Sequence, residues 1–97
     1  MPAILKEIEQ KLRACLPALQ KKYPIEKLAL FGSITRADFT PQSDVDILVE
    51  FNGDIGWEFF DLAEELEKIV GRKVDLVSGK AIKAHYLPYI KKDLIYV

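Results

Sequence analysis

Apolar residues first recur at helical spacing: Ile4, Leu5, Ile8, Leu12, Cys15, Leu16 and Leu19 share one face of residues 3 to 22. This pattern predicts an amphipathic helix. Pro17 falls inside it and is expected either to kink it or to open a new helix as its first residue. Tyr23-Pro24 should end it. The pattern then shortens. Leu28-Ala29-Leu30-Phe31 reads as a buried strand, and Gly32-Ser33 ends it where the backbone must turn sharply. Ile34 to Asp38 could form one turn of helix, and Thr40-Pro41-Gln42-Ser43 turns the chain back. Ile47-Leu48-Val49 is apolar and largely β-branched, as expected of a strand buried on both faces.

Asn52-Gly53-Asp54 marks the next turn, after which residues 57–70 return to helical spacing. Phe60, Ala63, Leu66 and Ile69 or Val70 are assigned to the inner face, with Glu58, Glu64, Glu65 and Lys68 largely elsewhere. The aromatic cluster Trp57, Phe59 and Phe60 is read as core rather than as a base-stacking platform. Gly71 is placed as the helix C-cap, and residues 72–77 alternate as a further strand. In residues 80–97, Ile82, Tyr86, Tyr89 and Ile90 suggest a helix interrupted near Leu87-Pro88. Leu94-Ile95-Tyr96-Val97 reads as an extended tail that packs on its own sheet or meets a partner. His85, alone among lysines and tyrosines, is read as a surface side chain.

These elements predict an α/β protein of the α+β kind. A small mixed sheet of three strands, or four if the tail joins it, carries helices packed upon it. The first two strands should be antiparallel, so that one ends where the other begins. A strand-helix-strand crossover would make the third parallel to the second. Residues 1–97 fit a single domain, since a chain of 97 residues buries only about 60 to 65% of its unfolded surface and holds one core.

The chemistry concentrates at the strand ends. Asp44 and Asp46 are two apart, so in an extended chain both side chains leave one face about 6 to 7 Å apart, while Val45 points into the core. Two carboxylates fixed side by side repel unless a cation lies between them, and hard oxygen ligands suit Mg²⁺ or Mn²⁺. Upstream, amides around Gly32 and Ser33 at the start of a helical turn favour a phosphate, and the Ser33 hydroxyl adds a donor. Asp75, in the third strand, should stand at a similar height to Asp46. It could complete a second metal site or take a proton from an attacking hydroxyl, and otherwise it is an exposed acid beside Lys73.

Charge and composition narrow the partners. Fourteen basic and 15 acidic residues leave a formal net charge of -1, without the cationic footprint of a general nucleic-acid binder. Long polynucleotides are not expected as substrates. Cys15 is the only cysteine and is read as a core thiol, in keeping with a cytoplasmic location. No secretory or membrane-length apolar run is present, so no membrane association is expected.

The residues Gly32-Ser33, then ten more, then Asp44-x-Asp46, with Phe31 before, Arg36 within and Ser43 adjoining the acids, resemble the minimal nucleotidyltransferases of the DNA polymerase beta superfamily. The resemblance continues through Asp75 to Leu87-Pro88-Tyr89-Ile90. It implies that Asp44, Asp46 and Asp75 are catalytic and hold two Mg²⁺ ions, with Mn²⁺ as the alternative. It implies that Gly32, Ser33, Arg36 and Ser43 contact ATP, the substrate; Arg36 matches the family's Gly-Ser-x-x-Arg segment. Ala37 departs from the family's usual glycine. Short members of this family include antitoxins paired with HEPN-type RNase toxins, which transfer AMP from ATP to a toxin tyrosine. The resemblance thus implies a protein adenylyltransferase, hetero-oligomeric with a HEPN toxin or a homodimer alone. Two alternatives are a binding module that masks the toxin without catalysis, and a subunit that modifies an aminoglycoside-like alcohol.

Overall fold

The computed structural model describes residues 3–36, 39, 40, 42–81 and 92–97. The first helix, α1 (Ala3–Lys22), places Leu5, Ile8, Leu12 and Leu19 in the core. It runs through Pro17 as one element, so no new helix begins there. Lys21 and Lys22 in its last turn complement the negative end of the helix dipole. The amide of Tyr23 still donates to the Leu19 carbonyl, and Ile25 then opens the first strand.

Strand β1 (Ile25–Phe31) is longer than the four residues anticipated. It pairs antiparallel with β2 (Val45–Phe51), which pairs in parallel with β3 (Val74–Ser78). Strand β4 (Ile95–Tyr96) lies antiparallel to the other side of β1, giving a four-stranded sheet of order β3-β2-β1-β4. The tail thus packs on its own sheet at these residues. The expectations for Ala37, Asp38, Ile82, His85, Tyr86, Leu87, Pro88, Tyr89 and Ile90 lie outside the described residues.

Helix α2 (Glu58–Val70) is the crossover between β2 and β3. Gly71 closes it in the left-handed conformation (φ 75°), its amide donating to the Glu67 carbonyl. The buried residues of α2 are Leu62, Leu66 and Val70: Leu66 and Val70 stand on the expected face, whereas Leu62 takes the inner place expected for Phe60 and Ala63. Trp57 and Phe60 are 84% and 60% exposed, which overturns their assignment to the core. Only Phe59 of that aromatic cluster packs partly against it. Among the described residues, the main core cluster sets the buried faces of α1 and α2 against Leu28, Leu30, Val45, Ile47 and Val49 of the sheet, while Ala29 and Leu48 are buried outside it. At about 1.5–3 kcal/mol for each fully buried aliphatic side chain, this layer is the main source of stability. It also fixes the two central strands, whose ends carry the acids.

Candidate active site

The register of the sheet brings the chemistry together. Phe31, the last residue of β1, stands opposite Asp46, and Asp46 stands beside Asp75 across the parallel β2–β3 pair. The amide of Val45 donates to the Lys73 carbonyl (2.9 Å), which extends this pairing toward Asp44. Val45 and Ile47 are wholly buried, so the intervening Asp46 is turned to the other face, as the period of a strand requires. Asp44 precedes β2 and is exposed, Asp46 is half-buried, and Asp75 is exposed.

Gly32 begins a 3-10 turn (Gly32–Thr35) directly after β1, two residues earlier and tighter than a helix starting at Ile34. Its φ of 77° lies in the left-handed region that favours glycine. A second constraint is steric. A Cβ at this position would collide with the Asp46 carboxylate and lie 3.0 Å from its Cγ. Glycine is therefore what lets the strand-end turn and the carboxylate touch. The turn is closed by the Thr35 hydroxyl donating to the Gly32 carbonyl (2.8 Å) and by the Arg36 amide donating to the Ser33 carbonyl (3.0 Å). Ile34 is fully buried and pins the turn to the core, while Ser33 stays half-buried.

The electrostatics record this crowding. Asp46 is pushed up to about 6, first by burial, then by the charges of Asp75 and Asp44, with Arg36 opposing the shift. Arg36 also pairs with Asp93, Nη1 to Oδ2 at 3.0 Å. Ser43 is engaged in its own loop: its amide donates to the Thr40 carbonyl and its hydroxyl accepts from the Thr40 amide, both at 3.0 Å. The Arg72 guanidinium, just before β3, lies 5.3 Å from the centre of the Phe39 ring. Sequence reasoning missed Asp93 and the Arg72–Phe39 contact. Partners so far apart in the chain leave no signal in spacing or periodicity.

A divalent cation suits this donor set in one respect and not in another. The donors are all hard carboxylate oxygens, and the repulsion that Asp46 feels from Asp75 and Asp44 is what such a cation would relieve. Among the described residues, however, no group of three His, Cys, Asp or Glu side chains is already arranged to hold a metal. Also among the described residues, no helix is long and apolar enough to cross a membrane.

The mixed sheet thus brings together Asp44 just before β2, Asp46 on it, Asp75 beside Asp46 on β3, and a glycine turn held against Asp46. Residues 12–97 match the model of the nucleotidyltransferase domain, and the chain belongs to that family. A Methanocaldococcus jannaschii protein provisionally named a protein adenylyltransferase is 46% identical over 96% of this chain and 97% of its own length. Protein adenylyltransferase MntA of Thermococcus cleftensis is 34% identical over 96% of this chain and 95% of its own. A solved structure provisionally described as a minimal nucleotidyltransferase superposes with a TM-score of 0.78 at 26% identity, covering 94% of this chain and 93% of that one. The MNT antitoxin complex with the tri-AMPylated HEPN toxin of Shewanella oneidensis matches in fold, with a TM-score of 0.66 at 19% identity over 92% of this chain and 70% of that one.

Proposed function

We propose that this nucleotidyltransferase transfers AMP from ATP to a tyrosine hydroxyl of a HEPN-type RNase toxin and acts as the antitoxin of that pair. The observation that carries the reading is the register that sets Asp46 beside Asp75 with Gly32 closed against Asp46. It is supported by the relatives named protein adenylyltransferase and by the fold shared with the MNT partner of an AMPylated HEPN toxin.

In this reading Gly32 and Ser33 receive the triphosphate, with backbone amides of the turn and the Ser33 hydroxyl as donors. Arg36 reaches the same phosphates, exchanging its contact with Asp93 for them. Ser43 braces the loop through Thr40, so its part in nucleotide binding is to shape the turn. Asp44, Asp46 and Asp75 are the residues that would hold Mg²⁺, which when bound would neutralise charge on the phosphates and on the carboxylates. Asp75 is more exposed than Asp46, which supports assigning it, in this reading, to accept the tyrosine proton. The tyrosine oxygen bonds to the α-phosphorus, the bond from that phosphorus to the bridging oxygen breaks, and pyrophosphate leaves. Alignment and charge neutralisation supply most of the catalysis in such a transfer.

The test is to incubate the chain with ATP, Mg²⁺ and the HEPN-type protein encoded beside it, and to weigh that protein by mass spectrometry. A gain of one or more AMP masses on tyrosine, abolished by Asp44→Asn or Asp46→Asn, is expected. Inhibition of the RNase that persists unchanged in those variants would instead identify a masking protein, and modification of a small alcohol without any partner would move the acceptor to that class.

A further inference from the structure

Trp57 and Phe60 are the two large apolar side chains most exposed among the described residues, and their rings lie together, with centroids 5.8 Å apart. Phe59 packs edge-on against Phe60 at 5.7 Å and against Phe51 of β2 at 6.3 Å, which ties the pair to the core. Aromatic side chains turn about few bonds and so lose little freedom when covered, which is the character of an interface anchor.

The surroundings say what kind of surface covers it. Residues 52–67 contain Asp54, Glu58, Asp61, Glu64, Glu65 and Glu67 and neither lysine nor arginine. Asp61 follows Trp57 by four residues and Glu64 follows Phe60 by four, so each acid neighbours a ring on the face of α2. Both are exposed, as are Asp54 and Glu58. Such a rim repels nucleic acid and anionic lipid, and a second copy docking through the same face would set acid against acid. It complements an apolar spot ringed by lysine and arginine.

We infer that the Trp57–Phe60 face docks the toxin itself, on a cationic surface of that protein. This rests on the reading above for the identity of the partner, and an RNase has to present cationic groups to its polyanionic substrate. The face lies beyond the Phe51 end of β2, whereas Asp46 is at the other end, about 15 to 20 Å away at the rise of a strand. A toxin held there leaves the carboxylate edge open, so holding the partner and modifying it are separate tasks of the two ends of one sheet.

Trp57 is the only tryptophan, so 5-fluorotryptophan gives the chain a single fluorine resonance at this face. In the free chain it should show the solvent isotope shift of an exposed ring, and adding the HEPN-type protein should remove that shift. Phe60→Ala, and separately Asp61→Asn with Glu64→Gln, should each weaken binding by about tenfold or more in calorimetry, with the circular dichroism of the fold unchanged. The charge variant should also lose much of the salt dependence. Asp46→Asn should bind as tightly as the parent and transfer no AMP. Equal affinity in parent and face variants overturns the docking face while leaving the transfer reading intact. Tight, face-dependent binding without AMP transfer does the reverse. A fluorine resonance shielded in the free chain and exposed by Phe60→Ala would assign the face to a second copy instead, and no binding by the parent would remove the toxin as its occupant.

Discussion

At the scale of single residues, the site is expensive to maintain, and that gives it a distinct mutational signature. Asp46 sits half-buried between two like charges, so its carboxylate opposes folding at neutral pH. Asp46→Asn should therefore raise the melting temperature of the free chain while abolishing transfer, and a melt beside an AMP-incorporation assay checks both. Gly32→Ala should lower both, because it adds strain at a positive φ, worth about 1 to 2 kcal/mol, and pushes on the Asp46 carboxylate. Tyr23 offers a contrast away from the site. Its hydroxyl donates to Glu65, which also holds Lys22, and burial followed by this bond pushes the phenol up to about 12. The folded form keeps a proton that the unfolded chain releases near pH 10. The stabilising contribution is therefore complete below pH 10 and is lost as pH rises toward 12. Tyr23→Phe should cost about 1 kcal/mol at neutral pH and should flatten the loss of stability between pH 10 and 12 in denaturant titrations. Asp44 and Asp46 were legible as a pair from their spacing, Gly32 from its place at the end of an apolar strand, and Asp75 from the crossover that sets β3 beside β2. Arg36 with Asp93 and Arg72 with Phe39 were not, since side chains that meet only through the tertiary fold have no periodic signature.

At the scale of elements, strands were read more surely than the phase of a helix. The runs around Leu28 and Ile47 could be strands only, and their order followed from the turn between them and the crossover after them. In α2, by contrast, Phe60 and Leu62 are both apolar and two positions apart, so two overlapping stripes compete for the core. Leu62 is buried with Leu66 and Val70, and Trp57 and Phe60 are left in water. Leu66→Ala should accordingly cost about 2 to 5 kcal/mol, with the range set by how far the site collapses. Phe60→Ala should cost less than about 1 kcal/mol, as a substitution at the surface. Chemical denaturation of the two variants distinguishes the stripes directly. The helix terminus is a cleaner case. A Cβ on Gly71 would meet nothing within 4 Å, so Gly71→Ala should cost about 1 to 2 kcal/mol for backbone conformation alone, without disturbing any contact.

At the scale of the whole molecule, the sheet joins the acids to the packed core, and its edges are where it is most vulnerable. β2 lies between two partners, but β1 depends for its outer edge on β4, a strand of two residues. The sequence marked Leu94 to Val97 as extended and offered the sheet or a partner as its cover, because so short a strand has no pattern of its own and is defined by its neighbour. β4 pairs Tyr96 with Ala29 and Ile95 with Leu30, and the Val97 amide donates to the Leu28 carbonyl at 3.0 Å. The Lys27 ammonium lies over the Tyr96 ring, 5.6 Å from its centre. An open apolar edge at β1 would be a template for pairing with another chain. Removing residues 92–97 deletes both this cover and Asp93, the partner of Arg36. Two causes for any defect can then be separated by Asp93→Asn, which releases Arg36 and leaves β4 in place. An ion pair this exposed is worth at most about 1 kcal/mol, so Asp93→Asn should remain monodisperse in sedimentation velocity. The truncated chain should melt lower and form larger, concentration-dependent species, because the backbone donors and acceptors of β1 then face solvent beside Leu28 and Leu30. Equal sedimentation of the two variants would mean that β1 does not need β4 to stay unpaired, and that the short strand serves chiefly to carry Asp93 to Arg36.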